Sequence, residues 1–439
     1  MTLKIYLKKK IEKFKSKLSI FDKKKPSKSY LNSEKYNELY LEEFTRYGRQ
    51  IILPEIGIEG QRVLKSAKIL VIGAGGLGCP ALAYLAGAGI GTIGIVDGDY
   101  VDVSNCHRQI LHTSSKLGEK KVNSAIKYLK DLNPLVKFVN HSLHISPSSS
   151  INIIESYDII LDCTDNQPVR YLISDTCVLL KKPLVSASAI KTEGQLCVYG
   201  FQGNCCYRCL FPTPSPKETT QTCEGSGILG MVVGIMGTLQ ALEAIKILLS
   251  PQLISHYDTE TNSYISYMTV FSAFSIPQFR SIKLRPRNSL CPSCGDKPLI
   301  TRSVIEEGTY YNLNTMCTEK IILREQRITV QESILQLELN SIFQSEKISQ
   351  TVLIDVRDET QFKLCSLPFS INIPLTSFYN LSSLPIDINK EIYIICRSGN
   401  DSQLAVKLLR EKFNILTAKD VIGGLKSWST LVNNEFPIY

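Results

Sequence analysis

The chain has 439 residues, 44% of them apolar, with 14 cysteines and a formal charge of +9. That length predicts two or three domains, each with enough apolar side chains for its own core. The charge is concentrated at one end: residues 1–40 hold twelve Lys and four acids, +8 of the total, so the rest is near neutral and a body built around a basic nucleic-acid groove is excluded.

The first 44 residues form a Lys-rich arm, read as a solvated charge run. The arm lacks the uninterrupted apolar core of a signal peptide and the Arg and Ser bias of a transit peptide. Many cysteines without a leader predict a reducing compartment, the cytoplasm, with thiols serving as core residues, ligands or nucleophiles. Next comes RYGRQ, in which Arg46 and Arg49 flank Tyr47 and Gly48.

The stretch Ala67 to Asp99 carries the first chemical signal. Ile69–Ile72 reads as a buried parallel strand, glycines 73, 75 and 78 fit G-x-G-x-x-G, and an apolar helix is predicted over 79–88. Glycines let a backbone approach phosphate closely, and the following helix start offers free N–H groups. A second strand, 92–96, delivers Asp97 where a ribose would meet it. The polar run after it contains Ser104, Asn105, Arg108, Gln109 and Lys121, cations that suit a triphosphate better than a nicotinamide.

A helix is predicted over 122–132, ended by Asn133-Pro134, then a strand over 157–163. Asp165 and Asn166 follow that strand, with Arg170 at the start of the next helix. Asp165 reads either as a Mg²⁺ ligand beside the phosphates or as a helix N-cap. Residues 184–196 predict a strand pair turning around Gly194. The uncharged run 228–242 is shorter than a membrane span, and its glycines fit a helix packed closely on a sheet.

Two C-x-x-C pairs, Cys206/Cys209 and Cys291/Cys294, have the spacing of a Cys₄ zinc site, with Cys205 the adjacent alternative for one ligand. Between them a Pro- and Thr-rich loop carries Cys223 just before a helix start, a setting that favours a reactive thiol. An irregular linker is predicted over 301–324, and a second α/β pattern over 325–439. In it the strand 392–395 leads directly into Cys396-Arg-Ser-Gly-Asn-Asp401 and a helix, so several backbone N–H groups face one sulfur. Such a cradle suits a thiolate or a persulfide.

Together RYGRQ, GAGGLG, VDGDYVDVSNCHRQ, CTDN, the two C-x-x-C pairs, TCEG, IDVRD and CRSGNDSQ resemble the eukaryotic fusion of a MoeB/ThiF-type adenylyltransferase with a rhodanese-like sulfurtransferase, from about Thr45 onward. The resemblance implies a Rossmann-like adenylation domain at 45–300 with a Cys₄ zinc site, then a smaller α/β rhodanese domain at 325–439. It implies ATP over Gly76, with Asp97 on the ribose and Ser104, Asn105, Arg108 and Lys121 around the phosphates. Asp165 and Asn166 would serve Mg²⁺ and the α-phosphate, and Arg49 would reach a neighbouring subunit's ATP site in a homodimer. Zn²⁺ ligands would be Cys206, Cys209, Cys291 and Cys294; the catalytic thiols would be Cys223 and the persulfide-bearing Cys396. The implied partners are a ubiquitin-like sulfur carrier, either a ubiquitin-related modifier or the small molybdopterin synthase subunit, and a cysteine desulfurase or other persulfide donor. No membrane and no direct nucleic-acid contact are expected. Three features depart from the pattern: Cys106 replaces the usual Leu, the segment FKLCSLPFSINIPL lacks the His-Ile-Pro-Gly run of free-standing rhodaneses, and Asp401 ends the thiol loop where a cation would attract small anions. The rival readings are an NAD-linked oxidoreductase and a non-catalytic scaffold for ubiquitin-like proteins.

Overall fold

The computed structural model describes residues 39–214, 227–249, 256–258, 263–311, 322–332, 351–368, 370–381, 383–387 and 390–437. The chain divides into two compact units, Met1–Arg46 and Tyr47–Tyr439. In the first, the described residues form the opening turns of α1 (Leu41–Ile51).

The second unit holds two large sheets. The first has eight strands in the order β10-β9-β6-β5-β4-β1-β2-β3. Its parallel half comprises β1 (Lys68–Ile72), β2 (Thr92–Val96), β3 (Lys137–His141), β4 (Ile159–Asp162) and β5 (Leu184–Ile190). Its antiparallel half adds β6 (Glu193–Tyr199), β9 (Tyr267–Ser272) and β10 (Phe279–Lys283) to β5. A separate two-stranded ribbon pairs β7 (His256–Asp258) with β8 (Ser263–Ile265).

Strands β1, β2 and β4 are apolar on both faces because helices cover both, as parallel sheets require. Helices α2 (Gly57–Ser66), α3 (Gly78–Ala88) and α4 (Lys121–Leu132) precede α5 (Pro147–Ile154), α6 (Gln167–Leu179), the short α7 (Tyr207–Leu210) and α8 (Gly230–Leu249). Helix α8 is long and apolar enough by composition to cross a membrane, yet it packs on α3 and β5. The tightest approach of its glycines is to the start of α3 and not to the sheet: a Cβ on Gly237 would lie 2.1 Å from the Leu77 carbonyl oxygen, and one on Gly234 would meet nothing within 4 Å.

Two features differ from the sequence reading. The β5–β6 turn is at Lys191-Thr192, with Lys191 at φ 53°, and not at Gly194. Gly194 lies inside β6, where a Cβ would meet Met236 Cγ at 2.4 Å, so it answers to helix packing rather than to a turn. Within the stretch read as an irregular linker, α9 (Arg302–Glu307) is helical, capped by Thr301 and anchored by buried Ile305.

The second sheet is all parallel, ordered β11 (Arg327–Ile328), β15 (Lys419–Val421), β14 (Glu391–Ile395), β12 (Thr351–Asp355), β13 (Ser370–Asn372). Helices α10 (Glu359–Leu364), α11 (Leu375–Asn380), α12 (Asp401–Phe413) and α13 (Gly424–Leu431) accompany it. Helix α13 starts at the Gly423-Gly424 pair, both at positive φ.

Candidate functional site

Register brings the nucleotide-type residues together. Ile72 pairs with Val96 on one side and with Asp162 on the other, so Gly73, Asp97 and Cys163 leave the sheet at one level. Strand order reverses at β1, the place where open α/β sheets bind ligands. The glycine turn is tight: a Cβ on Gly78 would sit 1.9 Å from Gly73 O, whereas Gly75 opens toward Gln109.

Ala74 is the fixed point of this turn. Its N–H donates to Asp97 Oδ2 at 2.8 Å, and its carbonyl meets His112 Nε2 at 2.9 Å. His112 is buried, its Nδ1 lies 2.9 Å from Ser124 Oγ, and burial lowers its pKa. It is therefore neutral, with Nε2–H donating to Ala74. His112 is absent from the residues that the sequence singles out, because its partner Ala74 lies 38 positions away and the local run Ile110-Leu111-His112-Thr113 carries no mark of the bond.

The cationic run lies beside the turn, each charge already steered. Lys121, at the start of α4, donates to Asp99 Oδ2 at 2.9 Å. Arg108 donates to Ser104 O at 3.0 Å and Asn105 Oδ1 at 2.8 Å, while Ser104 is held through N–H and hydroxyl by Asp102. Buried Gln109 leaves Oε1 without a hydrogen-bond partner among the described residues. An orphaned acceptor beside an open glycine, with Arg and Lys nearby, fits a phosphate-bearing nucleotide with donors of its own.

At the exit of β4, Asp165 is exposed and Asn166 is the N-cap of α6, accepting from Val169 N at 3.3 Å. Capping thus falls to Asn166, leaving the Asp165 carboxylate free for a hard cation. Arg49 stands exposed in the last turn of α1. Cys223 lies outside the described residues.

The two C-x-x-C pairs converge. Their four sulfurs lie within 4.8 Å of one another, with Cys206–Cys209 at 3.9 Å, Cys206–Cys291 at 3.6 Å and Cys209–Cys294 at 3.3 Å. Four thiolates ~2.3 Å from a tetrahedral ion stand about 3.8 Å apart, so the set fits zinc. Hydrogen bonds from Cys206 and the Asn288 amide pull the Cys209 thiol well down. Cys205, the alternative ligand, is buried outside the cluster.

In the second sheet Asp355 pairs with Ile395, so Arg357-Asp358 and Cys396 leave side by side. Cys396 is buried; Gly399 N–H donates to its Sγ at 3.1 Å, and Ser402 Oγ lies 3.4 Å away. Burial raises its pKa, Asp401 adds to the rise, and hydrogen bonds from the loop oppose it. The predicted anion cradle is present, but an acidic rim works against it.

Comparison with known proteins decides the family. The profile of the ThiF family matches residues 47–293. The chain belongs to the ThiF family. This ThiF-family chain also matches a rhodanese-like domain over residues 336–431. It is 44% identical to adenylyltransferase and sulfurtransferase uba4 of Aspergillus terreus over 91% of this chain and 87% of that protein. It is 41% identical to adenylyltransferase and sulfurtransferase MOCS3 of Culex quinquefasciatus, over 100% and 97% respectively. A third relative, adenylyltransferase and sulfurtransferase UBA4 of Yarrowia lipolytica, is 43% identical over 93% of this chain and 99% of its own length. The Rossmann-like adenylation domain followed by a rhodanese domain, and the enzyme class adenylyltransferase and sulfurtransferase, agree with the sequence reading.

Proposed function

We propose that this enzyme adenylates the C-terminal glycine of a ubiquitin-like sulfur carrier and then converts it to a thiocarboxylate, feeding tRNA wobble-uridine thiolation, molybdopterin synthesis or both. The observation that carries the reading is the presence, on one chain, of a glycine-turn crevice with Arg108 and Lys121 and of a buried Cys396 in a loop of amide donors. A scaffold needs neither, and a dehydrogenase has no use for the second.

In this reading ATP lies over Gly76, with Asp97 toward the ribose and Ser104, Asn105, Arg108, Lys121 and Asn166 toward the phosphates. A carrier carboxylate oxygen attacks the α-phosphorus, and pyrophosphate leaves with its bridging electrons while the cations hold the developing charge. Magnesium held by Asp165 would neutralise part of the triphosphate charge. Zinc held by Cys206, Cys209, Cys291 and Cys294 would cross-link distant parts of the adenylation domain. Arg49 serves a neighbouring subunit's site in a homodimer.

Cys396, loaded as a persulfide by a cysteine desulfurase or similar donor, attacks the acyl-adenylate through its outer sulfur and expels AMP. The amides around Sγ hold the anion until then. Cys223 then attacks Cys396 Sγ, releasing the thiocarboxylate and leaving a disulfide for a cellular dithiol to reduce. We assign the adenylation domain to residues 45–300, the rhodanese domain to 325–439, and the protein to the cytoplasm.

The test is mass spectrometry of purified carriers incubated with the enzyme, ATP, Mg²⁺ and a persulfide source. Exchange of one carboxyl oxygen for sulfur is expected. Cys396→Ser should abolish it while pyrophosphate exchange into ATP persists; no exchange with any carrier overturns the reading.

A further inference from the structure

Asp162 closes β4 with a side chain only 1% exposed, and Arg170 reaches it from the first turn of α6 with 11% exposed. The carboxylate and guanidinium stand 3.7 Å apart, long for an ion pair, and both spend their stronger bonds elsewhere. Asp162 Oδ1 accepts the Thr164 N–H at 3.0 Å and the Thr164 hydroxyl at 2.6 Å, and Oδ2 accepts Ser186 Oγ at 2.7 Å. Arg170 Nη2 donates to the Thr164 carbonyl and, at 2.8 Å, to Ala187 O, with Nη1 3.4 Å from Ser186 Oγ.

All three polar groups of Thr164 are thereby engaged, its N–H and hydroxyl by the acid, its carbonyl by the base. That carbonyl belongs to the peptide plane that begins Asp165. On the other side Asn166 is fixed by capping α6. Asp165 is held between two anchored neighbours while its own side chain stays exposed. A buried charge pair adds little stability over well-packed apolar residues, so what this one supplies is orientation.

We infer that Arg170 and Asp162 are positioning residues for adenylation: by gripping Thr164 and the Thr164–Asp165 peptide from α6 and β4 they set where the Asp165 carboxylate meets the metal–triphosphate substrate. The inference rests on the role of Asp165 proposed above. Arg170 can span two carbonyls because its guanidinium is a planar fork; Lys keeps the charge and loses the span.

The experiment measures pyrophosphate exchange into ATP by the full chain, with carrier, as a function of ATP and of Mg²⁺. Arg170→Lys is expected to lower kcat by about 10–100-fold and to raise the Mg²⁺ needed for half-maximal rate several-fold, with KM for ATP within about twofold, since a displacement near 1 Å costs on that order. Thr164→Val, which loses one of the bonds to Asp162 and no charge, shifts both readouts the same way by less; it carries the test if Arg170→Lys does not fold. Adding Arg170→Lys to Asp165→Ala should cost nothing beyond Asp165→Ala alone. Losses that multiply, or an unchanged kcat and Mg²⁺ requirement in both Arg170→Lys and Thr164→Val while Asp165→Ala abolishes exchange, overturn the positioning role. Full exchange by Asp165→Ala overturns instead the reading on which it rests.

Discussion

The Gly399 amide stands 3.1 Å from Cys396 Sγ, on the loop that ends in Asp401. Donor and carboxylate act on the same sulfur in opposite senses: the amide favours the anion, and Asp401 opposes it after burial has already raised the thiol. Asp401 is itself raised, by burial and by the neighbouring Asp358. Removing the Asp401 charge therefore lowers the Cys396 pKa. Asp401→Asn should move the pH midpoint of Cys396 alkylation downward. Asp401→Arg should in addition increase thiosulfate sulfurtransferase activity by at least about tenfold, because a cation at the mouth raises the local concentration of a small dianion. An unchanged thiosulfate rate would refute the electrostatic account of donor choice.

Removing one ligand from the four-thiol cluster should be felt across the adenylation domain. Cys206 is the N-cap of α7 and Cys209 lies within it, and Arg208 between them is locked onto buried Asp175 of α6 at 2.9 Å. Cys294→Ser should release zinc measured by emission spectroscopy and lower stability by about 2 kcal/mol or more, roughly 4–8 °C in a domain of this size. Cys205→Ser, one residue away, should keep its zinc. Loss of metal from Cys205→Ser and retention by Cys294→Ser would reverse the assignment.

Much of both domains could be read from residue patterns because local signals and the fold agree there. The strand Thr92–Val96 has the predicted bounds, the strand predicted over 392–395 begins one residue earlier, at Glu391, and the helix predicted over 79–88 begins one residue earlier, at Gly78. What escaped was set by contacts distant in sequence. Gly194 looks like a turn residue until Met236 packs on it from 42 positions away. β10, exposed along its whole length, has no apolar alternation to announce it. Asp162 reads as the polar end of a strand, and only the fold shows that Ser186 and Arg170 complete it. The convergence of the two C-x-x-C pairs was legible because two-residue spacing is a local mark, whereas the His112–Ala74 bond spans 38 positions and leaves none.

His112 gives the nucleotide turn a pH dependence with a definite sign. Burial lowers its pKa below the ordinary 6.5, with Lys121 and Lys116 lowering it further and the Ala74 bond and Asp97 opposing. The unfolded chain binds this proton more readily, so the contribution is fully present above pH 6.5 and is lost as pH falls toward the depressed native value. His112→Gln keeps a donor for Ala74 and cannot protonate. In urea unfolding at pH 7.5 and 5.5 the wild-type chain should lose more stability than His112→Gln between the two; equal losses would remove His112 as the cause.

Gly237 and Gly234 lie one turn apart on α8 and make opposite demands. A Cβ at 237 would meet Leu77 O at 2.1 Å and Pro80 Cγ at 2.7 Å, whereas at 234 it would find nothing within 4 Å. Gly237→Ala must push α8 away from the start of α3, the end of the glycine turn, at about 1–3 kcal/mol. Gly234→Ala should stabilise by up to about 1 kcal/mol through helix propensity alone. Leu77 directly follows Gly76, so Gly237→Ala should also raise KM for ATP in pyrophosphate exchange, and Gly234→Ala should not. Two variants of equal stability and equal KM would mean that α8 is not packed against the nucleotide turn, and would reopen its reading as a span.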